Sequence, residues 1–309
     1  METSKPVSIH VVTYLGSEER GGILRETCKS ALAQRYPDFE VVVSDNGGAF
    51  SAAEALKDLK DDRLKIRTNA TNAGFTGNIN RCLEHCSHDI IKLMCDDDLI
   101  HPDFLAQTVP LVDDGTLVVV DVEKYLIGQP PESIGVQLFE QSPFTARAPG
   151  YDRGLWTIPC KSSSIPSATI FTRALFERLG GFDAATITSD MDFFMEACLH
   201  GRLIHVRKTL CYVGVWGGSL TEEMVSRPYF FPHEALYTKF RVYHCKGLGF
   251  ADRMRLLGML FREAFVQGLR VFKNFRNPLY RMGYRNYLAR FFDLLRRPAR
   301  EFGDRPCNP

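Results

Sequence analysis

The chain has 309 residues, of which 45% are hydrophobic and 24% are charged, and its net charge is +1. This composition is typical of an ordinary globular protein with one large domain or two smaller ones. Residues 1–6 are polar, and no apolar run approaches the roughly 20 residues that span a bilayer, so neither secretion nor membrane spanning is expected. Nine cysteines without a Cys-x-x-Cys pair favour reduced thiols in a cytosolic protein.

The first 120 residues alternate short apolar runs with helical patterns, which predicts parallel strands joined by crossover helices. Ligands of such sheets bind at the carboxyl ends of the strands. Asp45 and a cluster of carboxylates, Asp96, Asp97 and Asp98, lie at such ends. We expect strands at 7–13, 39–44, 64–67, 90–95 and 117–121, and helices at 22–34, 52–60, 77–86 and 102–112.

The second half of the chain begins with a stretch, residues 124–167, that is rich in Pro, Gly, Ser and Gln. It predicts a long, partly irregular insertion. Alternation then returns, and beyond Pro232 the pattern is helical throughout. We therefore divide the chain into an α/β domain, 1–230, and a helical region, 231–309. The expected elements of the second half are strands at 168–172 and near 203–213 and helices at 173–179 and 190–200.

The C-terminal region differs from the rest in charge, because residues 252–305 contain 13 Lys and Arg against 5 Asp and Glu, a balance of +8. Its aromatic residues lie among Leu and Met at helical spacing, which suits an interface better than a platform for stacked bases, so nucleic acid is not an expected partner. Basic amphipathic stretches at 253–262 and 280–297 predict helices that lie on an anionic bilayer. The alternatives are a subdomain packed on the first domain, or a dimer contact in a homo-oligomer.

The run from residue 89 to 98 is the most informative part of the chain, because an apolar strand leads directly into Asp96, Asp97 and Asp98. Adjacent carboxylates repel one another, so they imply a nearby cation or a solvated cleft. Side chains alternate along an extended chain, which predicts that Asp96 and Asp98 face one site and Asp97 points elsewhere. Hard carboxylate oxygens suit Mg²⁺ or Mn²⁺, and such an ion usually neutralises a diphosphate. The alternative is an acidic loop with a helix cap.

Taken in order with Asp45 and Asp190, these aspartates resemble the motifs of a family 2 glycosyltransferase over about residues 7–220. The opening strand 8–14, Ser-Ile-His-Val-Val-Thr-Tyr, and residues 33–41, Ala-Gln-Arg-Tyr-Pro-Asp-Phe-Glu-Val, carry the resemblance, as does the His-Pro-Asp-Phe-Leu that follows the aspartates. The resemblance implies the GT-A fold, a Rossmann-like, mostly parallel sheet flanked by helices. The C-terminal helices would be an extension of it.

The resemblance implies a nucleotide-binding site at the carboxyl ends of the strands. Asp45 would bind the base, although a turn capped by Asp45 explains the same residue. Asn72, Gly74 and Asn80 match a stretch that lines the nucleotide, with Ile79 in place of the usual Arg. The expected nucleotide-binding residues are Thr13, Tyr14, Asp45, Asn72, Gly74, Asn80, Asp96 and Asp97.

The resemblance also implies a metal site, in which Asp96 and Asp98 would hold Mn²⁺ or Mg²⁺. Relatives often have a His ligand where this chain has Trp216, and Trp cannot ligate a metal. Trp216 would instead stack on the sugar or the acceptor, or pack in the core. His101 is interpreted as a surface or cap residue rather than a ligand.

The segment around Asp190 resembles the part of the family that carries the catalytic base, with Ser189 in place of the usual Glu. A carboxylate within hydrogen-bond reach can remove the proton of an acceptor hydroxyl. Asp190 is therefore the expected base. Asp192 is expected to contact the acceptor or the sugar; it could instead act as the base, but its place in the motif suggests that it supports the helix. The alternative for Asp190 is a helix N-cap.

The function that the resemblance implies is an inverting, metal-dependent transfer of a sugar from a UDP-, GDP- or dTDP-linked donor to a carbohydrate or lipid-linked acceptor. It would serve bacterial surface-glycan assembly, in the cytoplasm or at the inner face of the cell membrane. Two alternatives stay open. A sugar-phosphate nucleotidyltransferase would need a glycine-rich, basic loop where residues 13–19 are acidic. A catalytically silent nucleotide-sugar-binding protein would fit the departures at Leu15, Ile79, Ser189 and Trp216.

Overall fold

The structure, a computed structural model, describes residues 4–128, 145–146, 165–184, 188–217, 230–244, 249–274 and 276–298. Most of the insertion expected at 124–167 lies outside these residues, so its irregular character stays a prediction. Within the described ranges the strands are β1 Val7–Thr13, β2 Phe39–Asp45, β3 Leu64–Thr68, β4 Ile90–Cys95, β5 Leu99–Ile100, β6 Thr116–Leu126, β7 Thr145–Ala146, β8 Thr169–Thr172 and β9 Arg202–Val215.

The helices surround this sheet and form the C-terminal region. Two short 3₁₀ helices, Val109–Leu111 and Pro166–Ala168, accompany them. The α-helices are α1 Glu18–Leu32, α2 Ala52–Ala55, α3 Gly74–Asn80, α4 Cys82–His85, α5 Phe104–Thr108, α6 Arg173–Leu179, α7 Ser189–His200, α8 Phe230–Tyr243, α9 Phe250–Lys273 and α10 Pro278–Arg296.

The described strands form one mixed sheet in the order β3-β2-β1-β4-β8-β6-β9-β5, with β7 paired to β9. Strands β1 to β4 are parallel where they pair, and β6 pairs with β9 in parallel. Strand β8 lies antiparallel between β4 and β6, and β5 and β7 pair antiparallel with β9. The structure therefore confirms the expected mostly parallel sheet flanked by helices. The strand expected at 168–172 is present as β8, and its antiparallel orientation was not predicted.

Several predicted elements differ from the observed ones. The helix expected at 22–34 begins four residues earlier, at Glu18, and the one expected at 77–86 is divided into α3 and α4. Three others differ in length, each for a local reason. The helix expected at 102–112 changes to a 3₁₀ turn after Thr108, because Pro110 has no N–H to continue the helix. The helix expected at 52–60 ends at Ala55, where the Leu59 amide bonds to the Leu56 carbonyl and tightens the chain into a turn. The strand expected to end at 121 continues to Leu126, since β6 remains paired with β9 beyond an irregularity at Asp121.

The register of the sheet brings the ends of three strands together. Thr13 at the end of β1 is opposite Asp45 at the end of β2. On its other side β1 pairs with β4, with Val12 opposite Cys95, so Asp96 follows directly at the same edge. The expectation that Asp45 and the Asp96 cluster share one edge of the sheet is confirmed.

The C-terminal helices α8, α9 and α10 have a core of their own, and the prediction of a helical region is confirmed within the described residues. No helix in those parts of the chain is both long and apolar enough to cross a membrane. Arg241 of α8 joins this region to the sheet domain, since its guanidinium lies 2.7 Å from the Glu196 carboxylate and 3.7 Å from that of Asp183. The buried residues of the C-terminal core are Leu236, Phe240, Leu256, Leu260, Ala264, Tyr287, Phe291 and Leu294.

Candidate active site

Asp96, Asp97 and Asp98 lie in a turn between β4 and β5, which we name the aspartate turn. The Asp98 amide is 3.4 Å from the Cys95 carbonyl. The strand ends at Cys95, so the side chains do not alternate as they would in an extended chain. Each of the three carboxylates has its own set of partners, and that Asp96 and Asp98 face one site stays a prediction.

Asp96 is held by the first strand and the first helix. The Thr13 hydroxyl donates to its Oδ2 at 2.6 Å, and the Arg20 guanidinium lies 2.8 Å from Oδ1 and 3.0 Å from Oδ2. The Thr27 hydroxyl donates to its backbone carbonyl at 2.9 Å. Arg20 and Thr27 are both on α1, so the helix that follows β1 fixes the side chain and the backbone of Asp96. Tyr14, which follows Thr13 in the chain, is 47% exposed.

Asp97 is held from the opposite side, by β6 and the end of β9. The Trp216 indole N–H donates to its Oδ2 at 3.1 Å, and the Tyr125 hydroxyl donates to its backbone carbonyl at 3.0 Å. Burial and the neighbouring charge of Asp96 raise the pKa of Asp97. Trp216 thus contacts the aspartate turn directly, at the position where the resemblance places a metal-binding His.

Asp98 is the most deeply buried of the three, at 3% exposure. The Gly214 amide donates to its Oδ1 at 3.1 Å. Burial and the charge of Asp97 raise the pKa of Asp98, although the Ser167 hydroxyl, the Gly214 amide and the Lys92 charge oppose the shift. A side chain at Gly214 would collide with the Asp97 carbonyl, so only glycine lets β9 approach the turn this closely.

Lys92 supplies a buried positive charge to the same region. Its ammonium donates to the Leu93 carbonyl at 2.6 Å and to the Ser167 carbonyl, and it lies 4.4 Å from the ring centre of Phe104. Burial lowers the pKa of Lys92 to about 8. Since one of these carbonyls belongs to Ser167, which precedes β8, Lys92 also connects β4 to the start of this antiparallel strand.

Asp45 lies at the same edge, where it caps the next turn. Its Oδ1 accepts from the Gly47 amide at 3.1 Å and its Oδ2 accepts from the Ala52 amide, the first of α2, at 2.9 Å. The side chain is 2% exposed. The capped turn that we kept as the alternative is therefore present, and binding of a base by Asp45 stays a prediction.

A network of asparagines surrounds this turn. The Asn46 amide nitrogen donates to the Asn72 oxygen at 2.8 Å, and the Asn69 nitrogen donates to the Asn46 oxygen at 3.1 Å and to the Asn78 oxygen at 2.8 Å. Gly74 is joined to it, because its amide donates to the Asn72 oxygen at 2.8 Å. The structure thus brings the expected residues Asn72 and Gly74 beside β2.

The side-chain amide of Asn80, by contrast, bonds to the backbone of another part of the fold. Its oxygen accepts from the Phe182 amide at 2.9 Å and its nitrogen donates to the Phe182 carbonyl at 2.9 Å. These two bonds hold α3 against the loop before α7. The Thr76 and Ser189 hydroxyls, 3.1 Å apart, make a second link between the same helices. The side-chain amide of Asn80 therefore holds α7 in place relative to the asparagine network and does not face the aspartate turn.

Asp190 lies in the first turn of α7, where its Oδ1 accepts from the Met191 amide at 2.7 Å. Burial raises the pKa of Asp190 to about 6, and the charge of Asp192 adds to the shift. It lines a small, mostly apolar pocket together with Leu117, Pro166, Thr169, Phe182 and Phe193. Asp192 is only 3% exposed, so of the two carboxylates Asp190 is the more accessible.

The metal site expected at the aspartate turn stays a prediction. Within the part of the chain that the structure describes, no three His, Cys, Asp or Glu side chains are grouped so as to hold a metal ion. Mg²⁺ is often bound by only one or two carboxylates, with substrate phosphates and water as the remaining ligands. Burial raises the pKa of both Asp97 and Asp98, and the charge of the preceding aspartate, Asp96 and Asp97 respectively, adds to each shift. A divalent cation stabilises such a set of carboxylates. The residues present therefore fit such an ion.

Sequence reasoning missed Arg20, Tyr125, Gly214 and Lys92, all of which contact the aspartate turn or the strands that carry it. A signal for Arg20 was available, since a basic residue in the first turn of the helix after β1 lies at the edge where ligands collect. The other three lie within strands, and their spacing does not distinguish them from residues that only form the sheet.

Comparison with known proteins gives matches to glycosyltransferases. The model described as Glycosyl transferase family 2 matches residues 8–180. EpsE of Bacillus subtilis, named as a glycosyltransferase, is 30% identical over 93 residues, 29% of this chain and 34% of EpsE. The glucosyl-dolichyl phosphate glucuronosyltransferase of Haloferax volcanii is 24% identical over 194 residues, 58% of this chain and 56% of that protein. The chain thus spans about a third and about half of the length of these two curated relatives.

Two solved structures share the fold. Residues 1–349 of S. aureus TarS, in complex with UDP-GlcNAc, superpose with a TM-score of 0.66 at 18% identity, over 94% of this chain and 81% of that one. The mannosyltransferase PcManGT of Pyrobaculum calidifontis, in complex with GDP-Man and Mn²⁺, gives a TM-score of 0.58 at 17% identity, over 96% of this chain and 88% of that one. At these identities the likeness concerns the fold alone.

Proposed function

Because the chain belongs to glycosyl transferase family 2, whose model matches residues 8–180, we propose that it transfers a sugar from a nucleotide diphosphate donor to a hydroxyl of a carbohydrate or lipid-linked acceptor. One observation carries this proposal. The aspartate turn lies at the carboxyl edge of the sheet, beside Asp45 and the asparagine network, where α/β sheets bind their ligands.

The nucleotide would bind along this edge, in contact with Thr13, Tyr14, Asp45, Asn72 and Gly74. Tyr14 is exposed there and offers a ring against which a base can stack. TarS and PcManGT, which share the fold, bind UDP-GlcNAc and GDP-Man. These neighbours support a nucleotide sugar as the donor.

The diphosphate would lie at the aspartate turn, where Asp96 and Asp98 would hold Mn²⁺ or Mg²⁺ and Asp97 would contribute to nucleotide binding. When bound, the ion would supply Lewis-acid neutralisation of the charge on the departing diphosphate. Arg20 already offsets one negative charge of the turn by its two contacts with Asp96. The Mn²⁺ complex of PcManGT supports use of a divalent ion.

Asp190 would act as the general base. A carboxylate whose pKa is raised to about 6 is deprotonated at neutral pH, yet accepts a proton more readily than an exposed carboxylate does. It would remove the proton of the acceptor hydroxyl as that oxygen bonds to the anomeric carbon and the bond from that carbon to the diphosphate breaks. One base and one in-line displacement give inversion. Trp216 and Asp192 stay the candidates for contacting the sugar or acceptor.

The experiment is a comparison of the wild-type protein with Asp190→Asn and Asp192→Asn. Isothermal titration with UDP-GlcNAc and GDP-Man, with and without Mn²⁺, measures donor binding, and donor consumption with an acceptor panel measures turnover. We expect Asp190→Asn to bind the donor as the wild type does and to lose turnover by on the order of 100-fold. Full turnover by Asp190→Asn, with Asp192→Asn inactive, would assign the base to Asp192.

The same samples separate the two alternatives. A nucleotidyltransferase would release pyrophosphate from a nucleoside triphosphate and a sugar phosphate. A catalytically silent protein would bind the donor but show no metal-stimulated hydrolysis or transfer. Surface-glycan or lipid-linked glycan assembly is the proposed setting, because one relative is named for action on a dolichyl phosphate-linked sugar.

A further inference from the structure

Helix α9 has an apolar face that the rest of the described protein covers only in part. Its Leu256, Leu260 and Ala264 are buried in the C-terminal core with residues of α8 and α10. A second set of apolar side chains on the same helix is exposed, in a stripe that we name the α9 stripe. It consists of Phe250, Met254, Phe261, Phe265 and Phe272, exposed by 79%, 42%, 45%, 67% and 81%.

The spacing places the α9 stripe on one side of the helix. At 3.6 residues per turn, these five positions lie within an arc of about 60°, and they extend over about 33 Å of helix. Scattered apolar residues on a protein surface need no explanation, but four phenylalanines in line do. Phe261 borders the C-terminal core, with its ring centre 5.1 Å from that of Phe291, and the other four residues of the stripe lie outside the buried cluster.

Basic side chains flank the stripe. Arg262 and Lys273 are exposed on α9, about 80–100° around the helix from the centre of the stripe. At the start of α10, Leu279 and Met282 are exposed by 54% and 56%, with Arg285 exposed one turn further on. The pattern of exposed apolar and basic residues therefore continues from α9 into the next helix.

The charge of this region indicates what covers the stripe. Residues 250–298 contain 11 Lys and Arg against 3 Asp and Glu. A second copy docked through the same face would bring two positively charged surfaces together, which opposes association. An anionic lipid surface offers the opposite charge to the basic residues and an apolar layer to the stripe, as interfacial helices require.

We propose that the α9 stripe docks the protein on an anionic phospholipid bilayer, with the phenylalanine rings in the interfacial layer and Arg262 and Lys273 against the headgroups. This inference rests on the C-terminal surface and not on the chemistry at the aspartate turn. It goes beyond the proposed sugar transfer, because it assigns a membrane-binding surface to named residues. A lipid-linked acceptor would be within the same interface.

Flotation of the full chain with vesicles tests the proposal. Vesicles of phosphatidylcholine with phosphatidylglycerol and vesicles of phosphatidylcholine alone are compared at low salt and at 1 M salt, where the Debye length is about 3 Å. We expect binding to the phosphatidylglycerol vesicles at low salt, and little binding to the other vesicles or at 1 M salt. A full chain that does not float with phosphatidylglycerol vesicles at low salt would overturn the proposal.

Two variants locate the contact. Phe265→Ser with Phe272→Ser removes the two rings at the C-terminal end of the stripe. It is expected to weaken vesicle binding by at least about tenfold, because the transfer of these two rings from water into the apolar layer is lost. Leu126→Ser, at a 49% exposed position on β6, is the matched control and should float like the wild type. Circular dichroism and the thermal denaturation midpoint of each variant show that the protein is folded.

Arg262→Glu with Lys273→Glu is expected to abolish the preference for phosphatidylglycerol, whereas Lys60→Glu, at an exposed position in the sheet domain, should keep it. If the double Phe→Ser variant floats as well as the wild type, the stripe is not the contact. If the wild type sediments as a dimer that this variant dissociates, and no vesicle binding is seen, the stripe is an interface between copies and the membrane proposal is wrong.

Discussion

Arg20 lies over the indole ring of Trp216, with its guanidinium carbon 5.1 Å from the ring centre, while each residue holds a different carboxylate of one turn. Arg20 bonds to Asp96 and Trp216 bonds to Asp97. The stacked pair therefore connects α1 to the end of β9 across the candidate active site. A cation over a Trp face contributes about 0.5–2 kcal/mol, depending on how far it is removed from water.

The first prediction concerns the indole N–H. Trp216→Phe keeps a ring under Arg20 but removes the donor to Asp97, so we expect nucleotide diphosphate binding to weaken by about tenfold, the effect of losing a hydrogen bond to a charged group. Isothermal titration with UDP and GDP in the presence of Mn²⁺ is the measurement. Tyr36→Phe, which loses a hydroxyl bond to the Lys5 carbonyl away from the site, is the control. Unchanged affinity in Trp216→Phe would remove Trp216 from the binding site.

The second prediction concerns metal binding. Asp98→Asn replaces a buried carboxylate by an amide of the same size, and we expect it to abolish the Mn²⁺-dependent part of nucleotide binding while the protein stays folded. Stability should not fall, because the amide carries no charge to bury. Titration with and without Mn²⁺ decides the matter. Asp103→Asn, at a partly exposed aspartate paired with Arg35, should behave like the wild type. The same Mn²⁺ dependence in both variants would rule out Asp98 as a ligand.

The third prediction is a pH profile. Below about pH 6 the Asp190 carboxyl keeps its proton in the folded protein, because burial raises its pKa, and a protonated carboxyl cannot act as a base. We therefore expect kcat/KM to rise with pH through about 6 and then level off. Asp190→Asn measured over the same pH range is the control, since its residual turnover should lack the rise near pH 6. A rate that is constant between pH 5 and 8 would contradict the assignment of the base.

The fourth prediction concerns the close approach of β9 to the aspartate turn. Gly214→Ala would push a methyl group into the Asp97 backbone, and we expect it to lower the free energy of unfolding by about 1–3 kcal/mol and to weaken nucleotide binding. Gly258→Ala is the control, because a methyl group there meets nothing within 4 Å and replaces a helical glycine. It should raise the free energy of unfolding by up to about 1 kcal/mol. Thermal denaturation and titration measure both effects.

Much of the sheet could be predicted because its strands are continuous apolar runs that end in polar residues. The bounds of β1 and β4 and of helix α6 agree with those expected. The shared edge of Asp45 and the Asp96 cluster followed from parallel pairing alone. The short segments were less predictable, since α2, α3 and α4 are each held by contacts with distant residues rather than by their own length.

The sequence by itself determined which residues follow the strands, and hence where the carboxylates and the amides would gather. It also determined the +8 balance of the C-terminal region, whose helices were expected. Only the tertiary structure decided how the three aspartates are divided, because their partners Arg20, Trp216 and Gly214 are separated from them by 76, 119 and 116 residues. Such pairs depend on where the chain crosses itself. Periodicity reports which face of an element is apolar, but it does not report which distant donor lies opposite a given carboxylate.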